Sequence, residues 1–215
     1  GFVEYDYGDH YDDNGPIPDT PKEIRYRTSY FVPGSAELFN SSIDRIEKNP
    51  AVTSMPYIIK VNRAANTVTV YDSYMTPIKA MICSTGPATP LGTYNTVWKR
   101  IWQPLFGGVY GHYVTKIVGD ILFHSVPYYS KNLDDIEYEE YNKLGTAASL
   151  GCIRLRAIDA KWIYDNCPLS TKVIIYDDAD NPGPLGKPNY VKIDTSSENR
   201  GWDPTDPDPS NPWNN

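Results

Sequence analysis

Cysteine is scarce in this chain, with three in 215 residues at Cys83, Cys152 and Cys167. That is too few for a disulfide-dense scaffold, and their spacing is not the paired spacing of a zinc site. Histidine is equally scarce, with His10, His112 and His124 alone. No stretch approaches the roughly eighteen consecutive apolar residues that a membrane-spanning helix requires. The N-terminus lacks a basic-plus-apolar leader, so the sequence is expected to begin after a cleavage point or as a fragment. A basic excess is lacking too: Lys+Arg 20 against Asp+Glu 27 gives a formal net charge of −7. That balance argues against nucleic acid as a partner, because phosphates require a basic face.

The acids are concentrated at the ends. Residues 1–22 hold six acids against one base and residues 177–215 hold eight against three, so each end is net −5 and the middle is net +3. Both ends are also rich in proline and asparagine, as in Trp202-Asp203-Pro204-Thr205-Asp206-Pro207-Asp208-Pro209. Such stretches bury too little apolar surface to offset chain entropy, so 1–22 and the acidic tail 179–215 are expected to be weakly ordered. Between them, 23–55 reads as a connector or brace with one short helix from Ala36 to Lys48. Leu38, Phe39, Ile43 and Ile46 fall close to helical spacing there, and Asn49-Pro50 stops the run.

From Tyr57 the pattern is that of strands. Tyr57 to Val61 and Thr67 to Tyr71 are β-branched and aromatic, with a natural turn at Asn62 to Asn66. Ile78 to Cys83, Thr93 to Ile101, Tyr110 to Ile117 and Asp120 to His124 continue the series. Thr85-Gly86-Pro87 and Thr89-Pro90-Leu91-Gly92 are turn chemistry. Ala157 to Asn166 predicts a short helix, with Ile158, Trp162 and Ile163 able to share one face and Asp159 near its start. Pro168 closes it, and Lys172 to Tyr176 predicts a buried strand. Short strands at this spacing suggest a sandwich or barrel.

One segment carries chemistry: Ser149-Leu150-Gly151-Cys152-Ile153-Arg154-Leu155. A thiolate is the attacking form of cysteine and a free thiol titrates near 8.5, so a working Cys152 needs a base. His124 ends the apolar run Ile121-Leu122-Phe123 and lies 28 residues upstream, so only folding can bring it to Cys152. A cysteine–histidine pair of this kind is a recurrent arrangement for covalent acyl transfer. Gly151 allows close approach of the backbone or a positive φ, and amides at Gly151 and Cys152 could converge on an oxyanion. His112 lies on a predicted strand, could line a cleft with its tyrosines, and is an alternative base. Cys83 and Cys167 are expected as buried free thiols, a bridge between them being the alternative.

Together with Phe123-His124-Ser125, the run LGTAASLGCIRL (Leu144 to Leu155) resembles the signature of the L,D-transpeptidase catalytic domain, also called the YkuD domain. That signature is a histidine, a variable loop, then Ser/Thr-His-Gly-Cys, a hydrophobic residue and usually an arginine. Pro56 to Thr69 resembles the opening strand pair of the domain. Cys83-Ser84-Thr85-Gly86 with Thr89-Pro90-Leu91-Gly92-Thr93-Tyr94 resembles its S-T-G and T-P-x-G-T-F turns. The resemblance covers 56–178, somewhat over half the chain. Two features depart from the pattern. Leu150 stands where a histidine usually precedes Gly-Cys, and Tyr128 to Tyr141 (YYSKNLDDIEYEEY) lengthens the loop between His124 and Cys152.

The resemblance implies a mainly β, YkuD-like sandwich or barrel, with a short helix after the cysteine loop. It implies a cysteine-dependent L,D-transpeptidase acting on peptidoglycan stem peptides as donor and acceptor, through a thioester that crosslinks two diamino acids. Cys152 would be the nucleophile and His124 its base. Ser125 would orient the imidazole mainly through its carbonyl, and Gly151 would contribute an oxyanion amide. Arg154 would hold a stem carboxylate in its planar fork or brace the loop as an ion pair, and Ser149 would fix the loop. A helix N-terminus close to Cys152 would favour the thiolate. No metal or organic cofactor is implied. Carbapenem-type β-lactams are implied as inhibitors, and an extracytoplasmic, cell-wall location is implied, secreted or anchored through a segment absent from this chain. An L,D-carboxypeptidase, a D-amino-acid-exchanging or protein-anchoring relative, and a wall-binding module whose chemistry lapsed with Leu150 remain the alternatives. The acidic insertion (Asp134, Asp135, Glu137, Glu139 and Glu140) reads as solvated surface, or as a lid over the cleft.

Overall fold

The computed structural model describes residues 55–214. Segment 1–22 and the connector helix from Ala36 to Lys48 lie outside the described residues. Nine strands follow one another along the chain: β1 (Tyr57–Asn62), β2 (Thr67–Asp72), β3 (Pro77–Ser84), β4 (Gly92–Asn95), β5 (Lys99–Leu105), β6 (Val109–Val118), β7 (Ile121–Ser125), β8 (Ile153–Leu155) and β9 (Lys172–Tyr176). A four-residue helix α1 (Tyr138–Tyr141) precedes β8, and α2 (Ala157–Asn166) links β8 to β9. The strands make one sheet in the order β4-β9-β1-β2-β3-β8-β7-β6-β5.

That order makes β4 and β5 opposite edges of the sheet, although only Thr96, Val97 and Trp98 separate them in sequence. Three residues span only about 10 Å, so the sheet must curl until its edges nearly meet. The predicted single strand from Thr93 to Ile101 is therefore two. It breaks at Thr96, whose amide donates to Thr171 O at 2.9 Å while its hydroxyl donates to Pro168 O at 3.1 Å. The result is a mainly β half-barrel.

The barrel interior is filled by Ile59, Val61, Val68 and Val70 of β1 and β2, Phe123, Ile153 and Leu155 of β7 and β8, and Ile163 of α2. Each such side chain contributes roughly 1.5–3 kcal/mol by leaving water. Cys83 and Cys167 are buried there and unbridged. Helix α2 buries Ala157, Asp159, Ala160, Ile163 and Tyr164 and packs Trp162 against the core, so of the predicted Ile158–Trp162–Ile163 face only Ile158 is exposed. Asp159 is not a solvated helix-start acid: it is fully buried and paired with Arg156 at 2.6 Å and Lys79 at 3.5 Å.

The acidic C-terminal segment also differs from expectation. Asp203, Asp206, Asn211 and Ile193 are buried against the domain. Arg156 at the start of α2 offers no side-chain cap; instead Asp203 accepts from Ala157 N at 2.8 Å and the Thr205 hydroxyl accepts from Ile158 N at 3.3 Å. Both amides are orphans of a helix start, and an acid there is favoured by the helix dipole. Composition suggested too little apolar surface for order; what holds the segment is polar capping of a helix distant in sequence together with Ile193 in an apolar cluster.

The insertion is likewise packed. Tyr128, Ile136 and Tyr141 join Val126, Leu144 and Ile193 in a second apolar cluster, separate from the barrel interior. The backbone closes on the C-terminal segment at Gly201, where a Cβ would sit 1.9 Å from Asp134 O.

Candidate active site

The hairpin turn between β1 and β2 starts a chain of contacts that ends at Cys152. Asn66 takes a positive φ of 53°, which asparagine tolerates, and its Oδ1 accepts from both the amide and the hydroxyl of Thr85 at 2.9 Å. Thr85 in turn accepts Ser149 N at 3.0 Å, and Ala88 N donates to Leu150 O at 3.0 Å. The Thr89 hydroxyl accepts from Gly86 N at 2.9 Å and donates to Gly151 O at 2.6 Å. Gly86 is required by contact, since a Cβ there would lie 2.1 Å from Ser149 O. The Thr-Gly and Thr-Pro-Leu-Gly turns thus form the seat on which the cysteine loop rests.

Within the loop, the Ser149 hydroxyl donates to Cys152 O at 2.6 Å, a loop-fixing bond. Gly151 does not use a positive φ. Its constraint is steric: a Cβ would meet Ile121 Cδ1 at 3.0 Å and the Ala88 carbonyl carbon at 3.2 Å. Leu150, at the position usually histidine, projects outward and is 65% exposed.

Strands β7 and β8 run parallel, pairing His124 with Arg154 and Phe123 with Ile153. Phe123, Ile153 and Leu155 face the core. Alternation places His124 and Arg154 on the opposite face, and Cys152 lies in the bend that enters β8, two positions before Arg154. The register brings Cys152, entering β8, level with Leu122, two residues before His124. The thiol donates to Asp120 O in the β6–β7 turn at 3.3 Å, and among the described residues no hydrogen bond joins it to His124.

The imidazole is held on its other side. His124 Nδ1 lies 2.5 Å from Ser125 O. A carbonyl only accepts, so Nδ1 carries the proton and Nε2 is the basic nitrogen. The ring lies against Gly111, where a Cβ would be 3.0 Å from His124 Cβ and 3.2 Å from Nδ1. The Ser125 hydroxyl has a different task, accepting from His112 N at 3.0 Å and donating to Val126 O at 2.8 Å.

Burial decides the protonation states. It lowers His124 from 6.5 to about 4, against the opposing pull of the Ser125 carbonyl and with help from the Arg154 charge. It also raises the Cys152 thiol above its ordinary value, although the Leu122 amide and Arg154 favour the thiolate. The resting site holds a neutral thiol and a neutral imidazole. The helix dipole does not activate the cysteine: β8 separates Cys152 from α2, and the helix start is occupied by Asp203.

Arg154 takes one of its two expected roles, whereas His112 sits differently from expectation. Arg154 Nη1 binds Glu140 Oε2 at 2.5 Å and Ala148 O at 3.2 Å, so of its two expected roles the structure displays the bracing ion pair. His112 does not line the cleft. It is buried, stacked between Trp102 and Tyr113 with centroids at 4.0 and 3.7 Å, beneath the C-terminal segment. Its Nδ1 faces Asp206 Oδ2 at 4.0 Å, yet burial lowers its pKa to about 3. That contact is therefore not an ion pair. Among the described residues no group of three or more His, Cys, Asp or Glu is placed to hold a metal, and no helix is long and apolar enough to cross a membrane.

Sequence reasoning missed Gly111, Thr89 and Glu140 as parts of this site. The Thr-Pro-Leu-Gly turn was a signal for Thr89, but nothing local marks Gly111 or singles Glu140 out of its acidic run.

Comparison with known proteins adds a family. The model of the L,D-transpeptidase catalytic domain, YkuD, matches residues 56–175. YciB of Bacillus subtilis (strain 168), whose name assigns it provisionally to the L,D-transpeptidases, is 56% identical over 57 residues, 26% of this chain and 28% of that protein. A fused Zn-dependent amidase/peptidase/peptidoglycan-binding-domain protein of Clostridium acetobutylicum ATCC 824 shares 26% identity at a TM-score of 0.45, over 67% of this chain and 62% of that one. L,D-transpeptidase 3 of Mycobacterium tuberculosis, solved with a faropenem-derived adduct, shares 19% identity at a TM-score of 0.45, over 57% and 61%. The chain thus spans about three tenths of the length of the first relative and about three fifths of the two solved chains. The family match includes the seat, His124 and Cys152 and covers more than half of the 215 residues, so the chain belongs to the L,D-transpeptidase catalytic domain family.

Proposed function

We propose that this protein is a cysteine-dependent L,D-transpeptidase that crosslinks peptidoglycan stem peptides outside the cytoplasm, at the cell wall. The observation that carries the reading is the parallel β7–β8 register, which sets Cys152, entering β8, two residues along the sheet from His124, with Ser125 O holding the imidazole so that Nε2 is basic. In the first half-reaction the thiol leaves Asp120 O and gives its proton to Nε2. The sulfur attacks the carbonyl of the L,D bond after the diamino acid of the donor stem. Amides at Gly151 and Cys152 hold the oxyanion, whose collapse breaks the C–N bond. The imidazolium returns its proton to the departing D-amino acid, leaving a thioester. In the second half, His124 takes a proton from the side-chain amine of an acceptor stem as that nitrogen attacks the thioester, and the proton returns to the Cys152 sulfur. No step draws on a metal or organic cofactor.

Intact-protein mass after incubation with a carbapenem tests the proposal. The expected result is a one-to-one adduct that disappears in Cys152→Ala and forms far more slowly in His124→Ala. No adduct on reduced, folded protein would move the assignment to a wall-binding module, consistent with the exposed Leu150 beside the loop. Products from a single stem peptide separate the enzymatic alternatives: trimmed stems without crosslinks would identify an L,D-carboxypeptidase.

A further inference from the structure

The insertion that lengthens the loop between His124 and Cys152 does more than cover surface. Tyr141, fully buried in the second cluster, anchors helix α1. The residue before it, Glu140, places one carboxylate oxygen 2.5 Å from Arg154 Nη1 and the other 2.5 Å from Lys143 Nζ. Burial works against that carboxylate, but the hydrogen bonds from Lys143 and Arg154 outweigh it and hold its pKa below the ordinary value. Glu140 is thus ionised near neutrality. Arg154, its partner, is the register neighbour of His124 and lies two residues beyond Cys152.

The charged and titratable groups around the thiol come from few elements. Asp120 lies in the β6–β7 turn, His124 on β7 and Arg154 on β8; the turn from Thr85 to Leu91 contributes none. Around Arg154, the insertion and the segment after it supply Glu137, Glu140 and Lys143. Arg154 is the one cation named here whose charge acts on both Cys152 and His124.

We propose that Glu140 is a positioning residue for the Cys152 site: by binding the Arg154 guanidinium at 2.5 Å it fixes that cation on the face shared with His124, two residues from the thiol. The inference rests on the reading of Cys152 as the reactive thiol. It gives the insertion a role distinct from a mobile lid, because α1 is tied down by its own core and acts through one ion pair.

The test is the rate of Cys152 alkylation by iodoacetamide against pH, followed by intact mass on the full chain, with Cys152→Ser as the site control. Glu140→Gln keeps the volume and a hydrogen-bond acceptor but removes the charge. The expected result is a profile displaced to higher pH by about half a unit, because the released Arg154 favours the thiolate less, hence about threefold slower alkylation near pH 7.5. Arg154→Met is expected to slow alkylation, and adding Glu140→Gln to it should change nothing further. Glu140→Asp, with shorter reach, should give a smaller displacement of the same sign, and it carries the test if Glu140→Gln does not fold. A Glu140→Gln profile that matches wild type, or a displacement that persists without Arg154, overturns the proposal. Wild-type protein whose Cys152 is not alkylated ahead of the buried Cys83 and Cys167 would instead sink the underlying assignment, so the two failures are distinguishable.

Discussion

His124 and Arg154 stand opposite each other on parallel strands, so an imidazole and a guanidinium occupy neighbouring positions on one face of the sheet. The fixed cation disfavours a second positive charge beside it, and burial disfavours it more. An imidazole brought from 6.5 to about 4 is neutral, and so able to accept a proton, at every pH above that value. Carbapenem acylation should therefore lose its base only as pH falls through about 4. At pH 5.5 the base should be almost wholly available, where a histidine of ordinary pKa would have only about a tenth in the neutral form. Acylation rates across pH 4–8 check this, and an acid limb centred near 6.5 would contradict it.

Two glycines support the two halves of the site at different clearances. At Gly86 a Cβ would fall 2.1 Å from Ser149 O and 2.6 Å from Ser149 C, which is backbone and cannot swing aside. Gly86→Ala should displace the cysteine loop, cost about 3 kcal/mol or more, and abolish the carbapenem adduct. At Gly111 the nearest atoms are His124 Cβ at 3.0 Å, Cγ at 3.1 Å and Nδ1 at 3.2 Å. A shift of a few tenths of an ångström relieves that contact. Gly111→Ala should thus melt within a few degrees of wild type while acylating at least tenfold more slowly, because the imidazole is pushed off the Ser125 carbonyl. Thermal melts beside adduct kinetics separate the two outcomes; equal losses of stability would refute the distinction.

Much of the fold was legible from local pattern. The β-branched runs of β1, β2 and β9, and the helix from Ala157 to Asn166 closed by Pro168, lie where periodicity and breakers put them. What was not legible depends on contacts remote in sequence. Thr93 to Ile101 reads as one strand because nothing in its residues announces that Thr96 bonds to Thr171 across a closing barrel. His112 reads as a cleft residue because a histidine among tyrosines looks functional. Its stacking on Trp102 requires knowing that β5 pairs with β6. The same holds for Glu140, one acid among five until α1 sets it against Arg154. Cys152 and His124 were legible as candidates because their motifs are local, whereas their approach across the sheet follows from the parallel register of β7 and β8.

The buried C-terminal segment places two titrating groups with opposite effects on stability. Asp203 is raised from 3.8 to about 6, chiefly by burial, with its hydrogen bonds from Thr205 and Ala157 opposing. A carboxyl whose folded pKa is raised contributes stability that is fully present below 3.8 and is lost as pH rises through about 6. His112 is lowered from 6.5 to about 3, so its contribution is present above 6.5 and is lost as pH falls through about 3. Each term is on the order of 3–5 kcal/mol when fully expressed. Asp203→Asn keeps an acceptor for Ala157 N and removes the ionisation, so it should be at least as stable as wild type at pH 8 and lose the advantage near pH 4. Asp203→Ala removes the cap as well and should cost about 1–2 kcal/mol relative to Asn. His112→Phe preserves the stack between Trp102 and Tyr113 and abolishes the acid-side loss, so it should outlast wild type at pH 4–5. Carbapenem acylation by His112→Phe should match wild type at pH 7.5, because His112 lies beneath the C-terminal segment and not beside Cys152. Denaturant unfolding at pH 4, 6 and 8 measures all three variants. Parallel pH dependences for wild type and His112→Phe would show that the buried imidazole is not the acid-sensitive group.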